Sequence, residues 1–275
     1  MRVECTICPH HCKIEEGHTG LCRGRKNRDG KIVSDNYGKL TAVALDPVEK
    51  KPLYHFYPGS KILSVGSYGC NLRCPFCQNS DISMTCGEDI ETEQISCKEL
   101  VLKAVNLRDR GNIGIAYTYN EPLIGYEFVR DCSILARQQQ LKNVAVTNGY
   151  ICEEPLRELL PLLDALNIDL KGFTEEHYHK LGGDLETVKR TIVAASEKCH
   201  VEVTTLIVPD ENDSEQEMEC LGTWLAGVNP EIPLHISRFF PRWQMQDKEA
   251  TPVEKIYRLA KIARRYLKYV YEGNC

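Results

Sequence analysis

No stretch of this sequence stays apolar for the roughly 18 residues that a membrane-spanning helix needs. The amino terminus, Met1-Arg2-Val3-Glu4-Cys5, lacks the apolar core of a secretory signal. Basic residues are not in excess either: 34 Lys and Arg stand against 39 Asp and Glu, a net charge of −5. These absences predict a cytoplasmic protein that neither enters a membrane nor holds nucleic acid through a global positive field. Low-complexity tracts and short self-similar repeats are also missing, which excludes a solenoid or a linker-like chain. At 275 residues and 42% hydrophobic content, the chain can still bury a full core.

What is abundant is cysteine, with 14 residues. Without a secretory signal, that number points to metal binding or catalysis rather than to a disulfide framework. Position divides the thiols into groups. Cys5, Cys8, Cys12 and Cys22 crowd the amino terminus, and Cys70, Cys74 and Cys77 share one short segment. Cys86, Cys97, Cys132, Cys152, Cys199, Cys220 and Cys275 occur singly and read as small hydrophobes or idle thiols.

Residues 1–60 read as a polar, cysteine-rich segment with short strands and turns, too poor in apolar residues to fold without a metal staple. From residue 61 onward, short apolar runs alternate with helical patterns. The runs are Lys61–Val65, Ile113–Tyr117, Asn143–Thr147, Ala165–Leu170, His200–Val208 and Leu234–Ser237. Helices are expected near 93–110, 122–140, 153–163, 184–197, 213–226 and 251–267. Thr251, Pro252 and Glu254 predict a capping box at the start of the last one. Strand–helix alternation repeated six times predicts an α/β protein: a partial (βα)6 TIM-like barrel over residues 61–275.

The loop after the first barrel strand reads Gly69-Cys70-Asn71-Leu72-Arg73-Cys74-Pro75-Phe76-Cys77-Gln78-Asn79. Three thiolates in the spacing C-x3-C-x2-C can take three irons of a [4Fe–4S] cluster and leave the fourth iron open. An open position marks a reactive metal site rather than a structural one. Phe76 would shield the cluster from water. The rival reading is a zinc site with a distant fourth ligand.

C-x3-C-x-aromatic-C is the signature of the radical S-adenosylmethionine (SAM) superfamily, and the chain resembles that superfamily. The resemblance implies a reduced cluster that cleaves SAM to a 5′-deoxyadenosyl radical, which abstracts a hydrogen atom. It also implies an electron donor of flavodoxin or ferredoxin type. Further segments sharpen the likeness: Cys5–Cys22, Asp46–Ser60, Thr118–Pro122, Asp169–Phe173 and Tyr269–Asn274. Together they resemble the radical SAM component of the AmmeMemoRadiSam system, a relative of pyruvate formate-lyase activating enzymes.

Candidate SAM-binding residues follow by position at the strand ends. Glu121 and Pro122 match a G-G-E-P segment whose backbone and acid hold the methionyl amine. Both glycines are absent, so Asn120 is expected to substitute through its side chain. Thr147-Asn148-Gly149 and Asp169-Leu170-Lys171 resemble segments of the activating enzymes. There Thr147 and Asp169, with a backbone carbonyl of Asn167, would hold a monovalent cation; Lys171 is the alternative partner of Asp169. Glu202, Thr204, His235 and Ser237 alternate on two later strands and are expected to line the SAM or substrate cavity; the rival reading of His235 is a hydrogen-bonded core histidine. Arg238 is a candidate carboxylate grip.

Cys5, Cys8, Cys12 and Cys22 supply four thiols for either zinc or a second iron–sulfur cluster, with His10 and His11 as rival ligands. The adjoining segment offers little apolar cover for a redox cluster, which leans the reading toward zinc. The substrate stays open: a glycyl-radical partner protein, a small molecule or another protein. A non-catalytic metal-binding adaptor is the alternative of a different class.

Overall fold

The computed structural model describes residues 1–275. Eight strands make one sheet: β1 (Ala42–Pro47), β2 (Lys61–Gly66), β3 (Asn112–Tyr117), β4 (Lys142–Thr147), β5 (Ala165–Asp169), β6 (His200–Ile207), β7 (Leu234–Arg238) and β8 (Val270–Gly273). Their spatial order is β8-β7-β6-β5-β4-β3-β2-β1. Strands β2 to β8 run parallel. Strand β1 is antiparallel to β2, from Ala42 opposite Gly66 to Pro47 opposite Lys61. Strands β8 and β1 do not pair, so the barrel stays open.

The apolar runs become strands because the helices cover them. Ile62, Leu63, Val144, Leu166, Ile168, Val203 and Ile236 are all buried. Gly114 on β3 is required by close approach: a Cβ there would lie 1.9 Å from the Lys142 carbonyl oxygen. Seven helices of at least seven residues follow: α1 (Cys97–Asn106), α2 (Tyr126–Gln138), α3 (Glu153–Leu159), α4 (Glu175–Leu181), α5 (Leu185–Ser196), α6 (Glu215–Val228) and α7 (Val253–Ala263). Side-chain oxygens start several of them. Ser96 and Glu99 form a reciprocal capping box on α1, and Asp184 and Ser214 cap α5 and α6. No helix is long and apolar enough to cross a membrane.

Three features depart from the sequence expectation. Strand β1 comes from the cysteine-rich segment, so the sheet draws on both sides of the 60/61 division. The short β8 and α4 were not foreseen. The capping box at Thr251 does not form: its hydroxyl donates to the Ile207 carbonyl at 2.6 Å and accepts from the Phe239 N–H at 3.3 Å. A buried carbonyl at the end of β6 outcompetes the helix terminus for this hydroxyl.

Candidate active site

The loop after β2 turns its thiols into a cavity of about 410 Å3 at the carboxyl ends of the strands. Cys70, Cys74, Phe76 and Cys77 line it from this loop. Gly69, at φ +86°, starts the turn; a Cβ there would meet the Cys22 carbonyl oxygen at 2.4 Å. The Leu72 N–H and the Asn148 amide point at the Cys70 sulfur, at 3.4 and 3.6 Å. Phe76 is buried, and its ring lies nearly parallel to His177 at a centroid distance of 6.4 Å. Burial pushes the Cys74 thiol up to about 11. The Cys70 thiol goes well above its ordinary value, through burial and then the Glu121 charge. Such thiols become thiolates when a metal takes the charge.

Glu121 lines the same cavity, close enough for its charge to act on the Cys70 thiol. Its carboxylate accepts from the Thr147 hydroxyl at 2.7 Å, the Asn148 N–H at 2.7 Å and the Leu123 N–H at 2.9 Å. Burial nevertheless raises its pKa to about 7, because these donors only partly offset desolvation. Asn120 lines the cavity, but its side-chain groups are engaged by backbone. Its oxygen accepts from the Ser67 N–H, and its amide donates to the Tyr68 and Gly69 carbonyls, so it anchors the base of the cysteine loop. Tyr119 stands at φ +74°, the left-handed region that glycine takes freely. Its hydroxyl donates to Asp46 at 2.7 Å, and Lys51 Nζ lies 4.4 Å from its ring centroid. These contacts hold a non-glycine residue in a conformation that costs on the order of 1 kcal/mol.

Asp169, Lys171, Thr204 and Ser237 complete the far wall, where Lys171 Nζ pairs with Asp169 at 2.9 Å. The Asp169 charge is therefore met by lysine, and the Thr147 hydroxyl is given to Glu121.

Residues 64–219 match the Radical SAM superfamily. The chain belongs to that superfamily. An uncharacterized protein of Methanocaldococcus jannaschii is 41% identical over 99% of this chain and 81% of its own length. The pyruvate formate-lyase-activating enzyme of Clostridium pasteurianum is 28% identical over 72% of this chain and 88% of its own. In fold, the chain is similar to a domain of a pyruvate-formate lyase-activating enzyme from Bacteroides vulgatus: TM-score 0.52, 18% identity, 58% of this chain and 99% of that domain. It is also similar to Streptococcus suis SuiB bound to S-adenosylmethionine, with TM-score 0.60, 14% identity, 78% of this chain and 52% of the other.

A radical SAM enzyme carries a [4Fe–4S] cluster and SAM, and the residues present fit both. Three cysteines line the cavity and a fourth does not, which leaves one iron for a non-protein ligand. The cavity volume suits a ligand of SAM's size, and a buried carboxylate faces it.

Two expected cavity residues lie elsewhere. Glu202 and His235 face inward but sit beneath the cavity, sealed by the loop after β1. Glu202 is fully buried; it is bonded to His235 at 2.6 Å and His200 at 2.9 Å, and accepts from the Tyr54 and His55 N–H groups at 3.0 and 2.7 Å. Arg238 is also engaged elsewhere, donating to the Thr251 carbonyl at 2.6 Å and stacking on Phe240.

Other cavity residues were missed. Lys50, Lys51 and Pro52 enter from the loop after β1, and Asn274 from beyond β8. Lys51 is buried and pairs with Asp46 at 2.9 Å. The unusual Asp46–Ser60 run was the available signal, but nothing in its spacing says which side chain turns inward.

At the amino terminus, Cys5, Cys8 and Cys22 are buried and Cys12 is half-buried. They surround one small hollow with Ile7, Ile14 and Ile124. The apolar cover missing from the local sequence is present, completed by Ile124 from the loop before α2. No three His, Cys, Asp or Glu side chains in the chain are drawn tightly enough together to hold a metal ion.

Proposed function

We propose that Cys70, Cys74 and Cys77 hold the [4Fe–4S] cluster, that Glu121 binds the SAM ammonium, and that the enzyme activates a partner protein by making a glycyl radical. The observation that carries the reading is the meeting of three thiols and one buried carboxylate in a single cavity at the ends of a parallel sheet. Cluster and SAM, when bound, supply a carbon radical that removes one hydrogen atom from the substrate. Everything else falls to the chain. Thr147 and the Asn148 N–H fix the orientation of Glu121 so that its remaining lone pairs meet the ligand amine. Phe76 excludes water from the thiol side. Lys51 and Asn274 line the cavity from the two free edges of the sheet, where a polypeptide loop can reach in, and Tyr119 lines it from the end of β3. The likeness to activating enzymes supports a glycine in such a loop as the target.

Protein reconstituted with iron and sulfide, given SAM and dithionite, should release 5′-deoxyadenosine, and Cys74→Ala should lower that release at least 100-fold. An intact cluster with no such product would sink the reading. Incubation with a partner carrying α-deuterated glycine should leave deuterium in the 5′-deoxyadenosine. Release of unlabelled product with every glycine-loop partner would remove the glycyl-radical assignment and leave SAM cleavage standing.

A further inference from the structure

The amino-terminal thiols take no part in the cavity above, yet they converge. His10, a rival ligand, is occupied: its Nε2 lies 2.7 Å from the Asn71 carbonyl oxygen. His11 is exposed, 3.6 Å from Glu4. Four cysteines remain as the donor set. A zinc ion would draw its sulfurs together at about 2.3 Å from one centre. Neither this set nor the Cys70 set is gathered that tightly, and in a cubane each thiolate takes a different iron. Arg25 lines the same hollow at 4% exposure, and its Nε–H has no acceptor in the protein. Its outer nitrogens are taken by Glu127, with one contact at 2.8 Å. A buried cation with a spare donor, beside four thiols in an apolar shell, matches a sulfide-bearing anionic group.

We propose that Cys5, Cys8, Cys12 and Cys22 ligate a second [4Fe–4S] cluster, which relays electrons to the cluster at Cys70, Cys74 and Cys77. Asn71, the residue after Cys70, connects the two sites. Its amide donates to the Tyr150 carbonyl at 2.6 Å, and its own carbonyl oxygen lies 2.7 Å from Nε2 of His10, two residues after Cys8. Its side-chain oxygen accepts from Asn148 at 2.9 Å, and Asn148 also reaches the Cys70 sulfur. On the other side, Gly69 packs against the Cys22 carbonyl. The half-buried Cys12 brings the outer cluster near the surface. There a one-electron protein donor of flavodoxin or ferredoxin type is oxidised by one electron. The outer cluster is reduced from 2+ to 1+ and returns to 2+ as the electron moves to the inner one; no bond forms or breaks. The relay role rests on the assignment of the inner cluster; the iron at the outer site does not.

Anaerobically reconstituted wild-type protein should bind about eight iron and eight sulfide per chain, and the Cys70→Ala/Cys74→Ala/Cys77→Ala variant about four of each. Wild-type protein with only four iron, or one zinc with no iron in the triple variant, would overturn the second cluster. If the triple variant fails to fold, the wild-type count decides, together with the electron paramagnetic resonance of dithionite-reduced protein. That spectrum should show two magnetically interacting clusters; a single isolated signal refutes them. For the relay, Cys12→Ser should lower the ratio of flavodoxin-driven to dithionite-driven 5′-deoxyadenosine release at least tenfold. An unchanged ratio would leave the outer cluster without that role. Both metal counts stand even if SAM cleavage fails.

Discussion

His235 Nε2 lies 2.6 Å from Glu202 Oε2, and the two groups share a fully enclosed floor beneath the cavity. Glu202 also collects His200 and two backbone N–H groups, so four donors converge on one buried carboxylate. Glu202→Gln keeps the shape and removes the charge. It should cost about 3–5 kcal/mol of stability, the range for breaking a buried charge network. SAM affinity should stay within twofold. Urea unfolding and calorimetry separate the two effects; a large loss of SAM affinity with normal stability would place Glu202 in the cavity after all.

The same carboxylate sets an acid limit. Burial works to raise its pKa, but the hydrogen bonds from His200, His235, His55 and Tyr54 outweigh burial and bring it down to about 2. A folded pKa below the unfolded value means stabilisation that is complete above about pH 4.5. It is lost as pH falls from there through about 2, and amounts to about 3 kcal/mol. Unfolding midpoints measured between pH 6 and 3 should fall more steeply in wild type than in Glu202→Gln. Parallel curves would contradict the network.

Glu121→Gln should weaken SAM binding by about 10- to 100-fold, the worth of a charge-assisted hydrogen bond of 1.5–3 kcal/mol. Iron content should not change, because Glu121 is not one of the three thiols proposed to hold the cluster and Gln keeps its shape. Loss of iron in this variant would show that the residue supports the cluster loop instead.

Lys51 and Asp46 should behave as a coupled pair. Lys51→Met strands a largely buried carboxylate, and Asp46→Asn strands a buried ammonium; each should cost about 3 kcal/mol. The double variant should be less destabilised than the sum by more than about 1 kcal/mol. Strict additivity would mean that the 2.9 Å contact carries no energy.

Much of this was legible in the chain. Continuous apolar runs made buried parallel strands, and the three-cysteine spacing marked a loop whose thiols line the cavity. Alternation along a strand tells which face a residue takes, but not how deep it sits. Thr204 and Ser237 reach the cavity, while Glu202 and His235, two residues earlier and about 7 Å lower, form its floor. Lys51 was hidden because its position depends on β1 pairing with β2. Tyr119 was hidden because a positive φ on a tyrosine is decided by distant partners, Asp46 and Lys51. Strand β8, only four residues long, carries too weak a pattern to stand out.

Strand β1 has one more consequence. It is contributed by the cysteine-rich head, yet it zips onto β2 along its whole length and carries Lys51 and the Tyr54–His55 seal behind it. The head is thus not a detachable accessory. Cutting the chain at residue 60 would strip an edge from the sheet and open the barrel floor. Exchanging heads among relatives would transplant part of the reaction chamber along with the thiols.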